Sequence, residues 1–256
     1  MQINYGIKTG FNEAFIIDGA KRAELIAADP KSAEIIRPIL RGRDIKRYNY
    51  EFADLYIIAT FPAKHYDIDD YPAVKAHLLS YGIERLEQTG KEYTIDGEKI
   101  KARKKTNNQW FETQDSISYW DDFNKQKIIW KIIGNQMAFA IDSDNYIVNN
   151  ACYILIGKHL EYLCCILNSK LIKWYSYITN MNKTGVGDVQ VGGQNVNLFP
   201  IPIPSDVQNP LMDLCHLIFS KKADNDDITK VEQKIASFIY TIYGLSLEEI
   251  KVIEES

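Results

Sequence analysis

The chain has 256 residues, 46% of them hydrophobic, with 30 Lys and Arg against 34 Asp and Glu and a formal net charge of −4. That length suits one large domain or a principal domain with a smaller appendage, and the composition excludes low-complexity, collagenous and disulfide-stapled classes. The acidity lies at the C-terminal end, where five lysines face ten acids from residue 206 onward, leaving 25 cations and 24 acids before it. The larger part is near neutral with local basic clusters, which is compatible with a polyanionic partner without requiring one.

Cys152, Cys164, Cys165 and Cys215 form no Cys-x-x-Cys pair, and His159 and His216 complete no zinc spacing. They read as core thiols of a reducing compartment, and no metal site is expected. No signal peptide opens the chain, and no apolar run approaches the roughly twenty residues of a membrane span. The expectation is a cytoplasmic protein with no membrane partner, although a domain cut from a longer protein would look the same.

Tyr5 to Asp18 reads as two short strands around a Gly10 turn; its two glycines and lysine lack the Gly-Lys-Ser/Thr ending of a phosphate-binding loop. Ala20 to Ala28 reads as a helix, and Asp29-Pro30 caps a second one from Lys31 to about Arg37. Ile36 to Tyr48, Ile-Arg-Pro-Ile-Leu-Arg-Gly-Arg-Asp-Ile-Lys-Arg-Tyr, packs five cations into thirteen residues. Pro38 and Gly42 place Arg41, Arg43, Lys46 and Arg47 on a short turn. Such arginines can fork onto phosphate or the guanine edge, or simply pair with nearby acids.

Leu55 to Thr60 is a continuous apolar run, the pattern of a strand buried on both faces. Tyr71-Pro72 opens a helical segment to about Thr89, with His77 on its apolar face as a satisfied, half-buried histidine. Residues 91 to 109 read as an exposed loop, either solvated or contacting a groove. It carries Lys101, Arg103, Lys104, Lys105, Asn107, Asn108 and Gln109 before Trp110.

The chain then turns to β pattern, with strands at Lys127 to Ile133, Ala138 to Ile141, Tyr146 to Val148 and Cys152 to Ile156, and a turn at Asp142 to Asn145. That turn lacks the glycine and glutamate spacing of a calcium loop. Leu160 to Ile178 reads as one helix, and Asn180 to Asn197 as a loop carrying Lys183, Gln190 and Gln194. Phe199-Pro-Ile-Pro-Ile-Pro204 makes an extended exit. Leu211 to Lys222 and Ile228 to Tyr243 form a helical pair, and Ser246 caps a short terminal helix. The pair must bury its apolar stripe on the main domain, on a partner chain or on another part of a longer polypeptide. The expected fold class is α+β, a β-rich core with flanking helices over residues 1 to 204 and a C-terminal helical hairpin over 205 to 256.

No nucleophile elbow, zinc-protease motif, kinase signature, dinucleotide fingerprint or Asn/Asp-Pro-Pro-Tyr tetrapeptide is present, so no catalytic residue is assigned. The order of several segments says more. Tyr-Gly-Ile-Lys-Thr-Gly-Phe-Asn-Glu-Ala-Phe (5–15), Arg-Pro-Ile-Leu-Arg-Gly-Arg-Asp-Ile-Lys-Arg-Tyr (37–48) and Tyr-Pro-Ala-Val-Lys-Ala-His-Leu (71–78) come first. Lys-Ile-Ile-Trp (127–130), Val-Asn-Asn-Ala-Cys-Tyr-Ile-Leu (148–155), Leu-Asn-Ser-Lys-Leu (167–171) and Phe-Pro-Ile-Pro (199–202) follow.

Taken in this order the chain resembles the C-terminal specificity domain of TaqI-like and Eco57I-like restriction-modification enzymes, from about Tyr5 to Pro204. The resemblance implies a target recognition domain, related to those of type I specificity subunits. In a type IIG or IIS enzyme it follows an adenine-N6 methyltransferase, with or without an endonuclease. It implies double-stranded DNA as partner and a methyltransferase domain in cis or in trans. S-adenosylmethionine, and Mg2+ where a nuclease is present, would belong to the parent protein, with no cofactor in this chain. The residues expected to face DNA are Lys8 and Thr9, the Arg41–Arg47 turn, the Lys101–Trp110 loop, and Lys183, Gln190 and Gln194. These supply cations for phosphates and amides or arginines for base edges. Three other readings remain open at this stage: a separate specificity subunit, a protein-interaction module using the C-terminal helices, and a small enzyme with an unrecognised site.

Overall fold

A computed structural model describes residues 1–95, 97–134, 136–179, 189–203, 209–224 and 226–256. In chain order it contains β1 (Gln2–Tyr5), α1 (Asn12–Phe15), β2 (Ile16–Asp18), α2 (Gly19–Ala28), β3 (Ile36–Leu40) and β4 (Leu55–Ile58). Then come α3 (Pro72–Leu79), α4 (Ile83–Leu86), β5 (Glu92–Ile95), β6 (Glu98–Lys101), β7 (Lys127–Lys131), β8 (Ile133–Gly134), β9 (Phe139–Asp142), β10 (Ile147–Val148) and β11 (Cys152–Ile156). The chain closes with α5 (Leu160–Leu167), α6 (Lys170–Ile178), β12 (Val189–Gln190), α7 (Gly193–Val196), α8 (Asn209–Ala223), α9 (Thr229–Ile242) and α10 (Leu247–Glu254).

Two four-stranded sheets share the core. The first has the order β1-β11-β7-β9, antiparallel throughout, and the second the order β10-β3-β4-β2. Alternate side chains of a strand face opposite sides, and the sequence uses both sides. In β7, Ile128 and Trp130 lie in the core beneath α5, α6, α8 and α9, while Ile129 enters the core between the sheets. In β4, Ile57 faces the first sheet and Ile58 packs with Leu25 of α2, Val74 and Leu78 of α3 and Leu86 of α4. The result is a helix-sheet-sheet-helix stack of the α+β class, and continuous apolar runs such as Lys-Ile-Ile-Trp follow from burial on both faces.

The C-terminal helices bury their stripe on this same chain. Leu211, Cys215, Ile218, Val231, Ile235, Ile239 and Ile253 belong to one apolar cluster with Trp130 and Phe139. The chain break drawn at 204/205 falls among residues outside the described ones.

Several expectations are revised. The helix expected over Lys31–Arg37 is a 3-10 turn at Pro30–Glu34 followed by β3. Pro38 is accommodated because pairing with β4 ends at Pro38 and pairing with β10 starts at Ile39. The segment expected over 71–89 breaks at Gly82, whose φ of 86° lies in the left-handed region. The single helix expected over Leu160–Ile178 is two, because the Ser169 hydroxyl accepts the Ile172 amide and starts α6. The 91–109 loop contains the two-stranded β5-β6 ribbon, with Glu92 opposite Lys101 and Thr94 opposite Lys99.

Candidate nucleic-acid interface

Register places four strand ends together. Tyr5 pairs with Tyr153, Tyr153 with Trp130 and Trp130 with Phe139. The C-terminal ends of β1 and β7 and the N-terminal ends of β11 and β9 therefore share one edge of the first sheet. Connections leaving that edge are tied to one another by the backbone. The Gly6 amide donates to the Cys152 carbonyl at 2.8 Å, the Asn150 amide to Ile7 at 2.9 Å, the Ile132 amide to Ala151 at 2.8 Å and the Val191 amide to Ile132 at 2.7 Å. Gly6 is required here, since a Cβ on it would stand 2.0 Å from the Asn149 carbonyl oxygen. Trp130 stacks on Tyr153 and donates its indole N–H to the Val191 carbonyl at 2.9 Å, fixing the approach to β12. Gly42 lies against Lys131 and Ala151. Along this rim run exposed Lys8, Arg43, Asn150 and Gln190 and partly exposed Lys131, with exposed Gln194 on the α7 turn that follows.

The rim continues into the basic ribbon. The Gln114 amide donates to the Lys8 carbonyl at 3.0 Å, and Asp115 feels the charges of both Lys8 and Lys104. Burial lifts the Asp115 carboxyl above its ordinary value, and the two lysines pull the other way. Lys101, Lys104, Lys105, Asn107 and Gln109 are exposed on this side.

Other candidates serve the framework. Arg103 is 3% exposed, and its guanidinium donates to the carbonyls of Leu86 (2.8 Å), Thr9 (2.8 Å), Glu112 (2.7 Å) and Trp110 (2.6 Å). Burial draws its pKa down to about 10, still charged at neutral pH. Thr9 is buried, its hydroxyl donating to Asn12 Oδ1 at 2.7 Å and accepting the Phe11 amide. Asn108 ties its side-chain amide to the Thr113 and Gln114 carbonyls, and Trp110 packs edge-on against Phe111.

The Arg41–Arg47 turn divides in the same way. Arg41 forks onto Asp44 with Nε–Oδ2 at 3.0 Å and Nη2–Oδ1 at 2.8 Å, an arrangement only a planar guanidinium makes. Lys46 Nζ donates to the Arg43 carbonyl at 3.1 Å and lies 3.8 Å from Glu51. Arg47 turns toward the tail, donating to the Asn168 carbonyl at 3.0 Å and pairing with Glu232 of α9 at 2.7 Å. Asn49 donates to the Lys222 carbonyl, and Tyr48 meets Phe219 edge-on. Of the four cations Arg43 is exposed and has no side-chain ion pair or hydrogen bond among the described residues. Lys183 lies outside the described residues. Sequence reasoning missed Lys131 and Asn150, which lie inside a strand and a turn and reach the rim only through register.

An α+β stack whose connections gather basic and amide side chains at one sheet edge defines a surface-recognition module. Residues 37–201 match the family of TaqI-like C-terminal specificity domains, and the chain belongs to that family. A solved structure of the type IIL restriction-modification enzyme MmeI in complex with DNA is similar in fold, with a TM-score of 0.68 at 14% identity. The match covers 99% of this chain and 35% of that one, so the chain spans about a third of the enzyme's length.

Proposed function

We propose that this chain selects the DNA sequence for a restriction-modification enzyme, reading double-stranded DNA with the rim of its first sheet. The observation that carries the reading is the gathering of Lys8, Arg43, Lys131, Gln190 and the β5-β6 ribbon along one edge. Membership of the specificity-domain family and a fold shared with an enzyme solved on DNA support it. Lys8, Arg43, Lys101, Lys104 and Lys105 position phosphates, while Asn107, Gln109, Gln190 and Gln194 offer amide groups of the kind that pair with adenine edges. Lys46 is a peripheral phosphate contact, and Lys183 remains a candidate. Thr9, Arg41, Arg47, Arg103, Asn108 and Trp110 hold these groups in place.

The catalytic partner in this reading is an adenine-N6 methyltransferase in cis or in trans, with or without an endonuclease, acting in the cytoplasm. The recognition domain helps present the target base for flipping. No group of three or more His, Cys, Asp or Glu among the described residues could hold a metal. In this reading S-adenosylmethionine, and Mg2+ where a nuclease is present, belong to the catalytic part.

The test is selection of duplexes from a randomised pool by the purified chain, followed by a salt titration of the enriched duplex. A single enriched motif that changes when Gln190 and Gln194 are replaced by Ala is the expected result. Binding that is absent, or insensitive to salt, would overturn the reading.

A further inference from the structure

The β5-β6 ribbon borders a cleft of about 280 Å3 against the Gly10 turn, lined by Arg85, Lys99, Lys101, Arg103 and Lys104 and, among the described residues, by no carboxylate. Of the 24 other described cations, eleven lie within 4 Å of an acid, among them Lys21 with Glu24, Lys31 with Asp70, Lys75 with Asp69 and Lys125 with Asp122. Among the described residues Arg85, Lys99, Lys101 and Lys104 have no such partner, and the charge of Arg103 at the cleft wall is met chiefly by neutral carbonyls. Like charges gathered in a concavity repel one another and focus a positive field outward. The protein holds this arrangement with a glycine. Gly10 has φ of 82°, and a Cβ there would stand 2.8 Å from Gln114 Oε1 and 2.9 Å from the Arg103 side chain.

We infer that this cleft is the seat of one DNA backbone phosphate, supplying affinity without sequence choice. The inference rests on the DNA reading above and extends it to residues outside the rim, Arg85 and Lys99 among them. A cleft of this size holds a phosphate group and not a base pair. Three of its five cations are lysines, whose compact ammonium groups act as point charges rather than as the forks that read guanine. The cleft meets the rim at Lys104, whose charge acts on Asp115 together with that of Lys8, and the Gln114 amide bonds the Lys8 carbonyl beside it at 3.0 Å, so a strand crossing the rim would run on into it.

The test compares the chain with a K99Q/K101Q/K104Q variant and with a charge-matched control, K21Q/K31Q/K75Q, at lysines of α2, α3 and the Pro30–Glu34 turn that do not line the cleft. Each is titrated with salt against a fluorescent duplex carrying the enriched motif and against a scrambled one. One phosphate contact contributes about 0.9 to the slope of log K against log salt. The cleft variant is expected to lose about one unit of slope and roughly tenfold in affinity at 0.1 M salt, equally on both duplexes, while the control matches wild type. A cleft variant that keeps the wild-type slope overturns the seat and leaves the DNA reading standing. A loss confined to the enriched duplex assigns the cleft to base reading, and an equal loss in the control reduces it to net charge; each also overturns the seat. Wild-type protein that binds neither duplex overturns both inferences. A melting temperature of the DNA-free chain that rises in millimolar inorganic phosphate, and rises less in the cleft variant, assigns the cleft to a free anion instead.

Discussion

The Arg41–Arg47 turn and the ribbon segment 91–105 each carry a net charge of +3 in sequence, and the structure partners those charges differently. In the turn, Arg41 is held by Asp44 and Arg47 by Glu232 and the Asn168 carbonyl. Its charge fastens the C-terminal helices to the sheets. On the ribbon, Lys99, Lys101 and Lys104 have no ion-pair partner among the described residues, and the one inward-facing cation beside them, Arg103, is saturated by carbonyls. Cation density therefore does not separate the two segments, whereas ion-pair partners among the described residues do. Arginine serves as the internal fastener in both regions, and lysine supplies most of the exposed charge, as the fork of one and the hydration of the other favour.

Variants that exchange these roles would break the contrast. The largest expected effect is at Arg103. Arg103→Met removes four carbonyl bonds, stranding Leu86 and Thr9 while Gln88 Nε2 still reaches Glu112 at 3.1 Å, and should cost about 4 kcal/mol in urea unfolding, whereas Lys101→Ala should stay within about 0.5 kcal/mol. Next, Asp44→Asn weakens the fork with Arg41 and is expected to cost about 2 kcal/mol. Arg43→Ala one residue away should leave stability unchanged and reduce duplex affinity; an Arg43 variant that unfolds early would place it with the fasteners. Third, a double-mutant cycle on Arg47 and Glu232 should show coupling of about 1 kcal/mol with an unaltered salt slope for DNA. A changed slope would return Arg47 to the DNA contacts.

The smallest effect is a pH dependence. Glu254 accepts the Tyr240 hydroxyl at 2.5 Å and pairs with Lys170 at 3.0 Å. The Tyr240 bond first, then Lys170, holds its carboxyl below the ordinary glutamate value of 4.5. A depressed folded-state pKa stabilises the fold fully above 4.5 and loses that contribution as pH falls through the folded value. Wild type should thus lose more stability between pH 5 and 3 than Glu254→Gln does, read as melting temperature against pH.

Much of the framework was legible. Cys152–Ile156 is a strand with the expected bounds, and the two tail helices fall within two residues of expectation, because period-2 and period-3.6 patterns survive wherever a face is buried. The capping box at Ser246 and Glu249 formed as read, and His77 meets the Ala14 carbonyl as a satisfied half-buried histidine. What escaped was decided by contacts distant in sequence. Nothing local in Thr9 or Arg103 announces that they meet, with Arg103 Nη1 2.8 Å from the Thr9 carbonyl. The ribbon was hidden because its strands are four residues each and half of those eight residues are charged, too short and polar for alternation to stand out. At the split, where Ser169 caps α6, the preceding Asn168 side chain is also held by the Phe139 amide and carbonyl, a partner 29 residues away.

At the sheet edge opposite the rim, Lys127 and Asp142 form an ion pair with both side chains fully buried, 2.5 Å apart across β7 and β9. Lys127 also donates to the Phe123 carbonyl, and Asp142 accepts the amides of Asp144 and Tyr146. A one-residue slip between these strands would strand two charges in an apolar interior, a penalty of several kcal/mol. Alignment of the sheet is thereby enforced at the end away from the rim. Outward side chains at the rim can then be exchanged without shifting the strands or the backbone ties beneath them, which is what the proposed reading surface needs if its specificity is to vary by substitution alone.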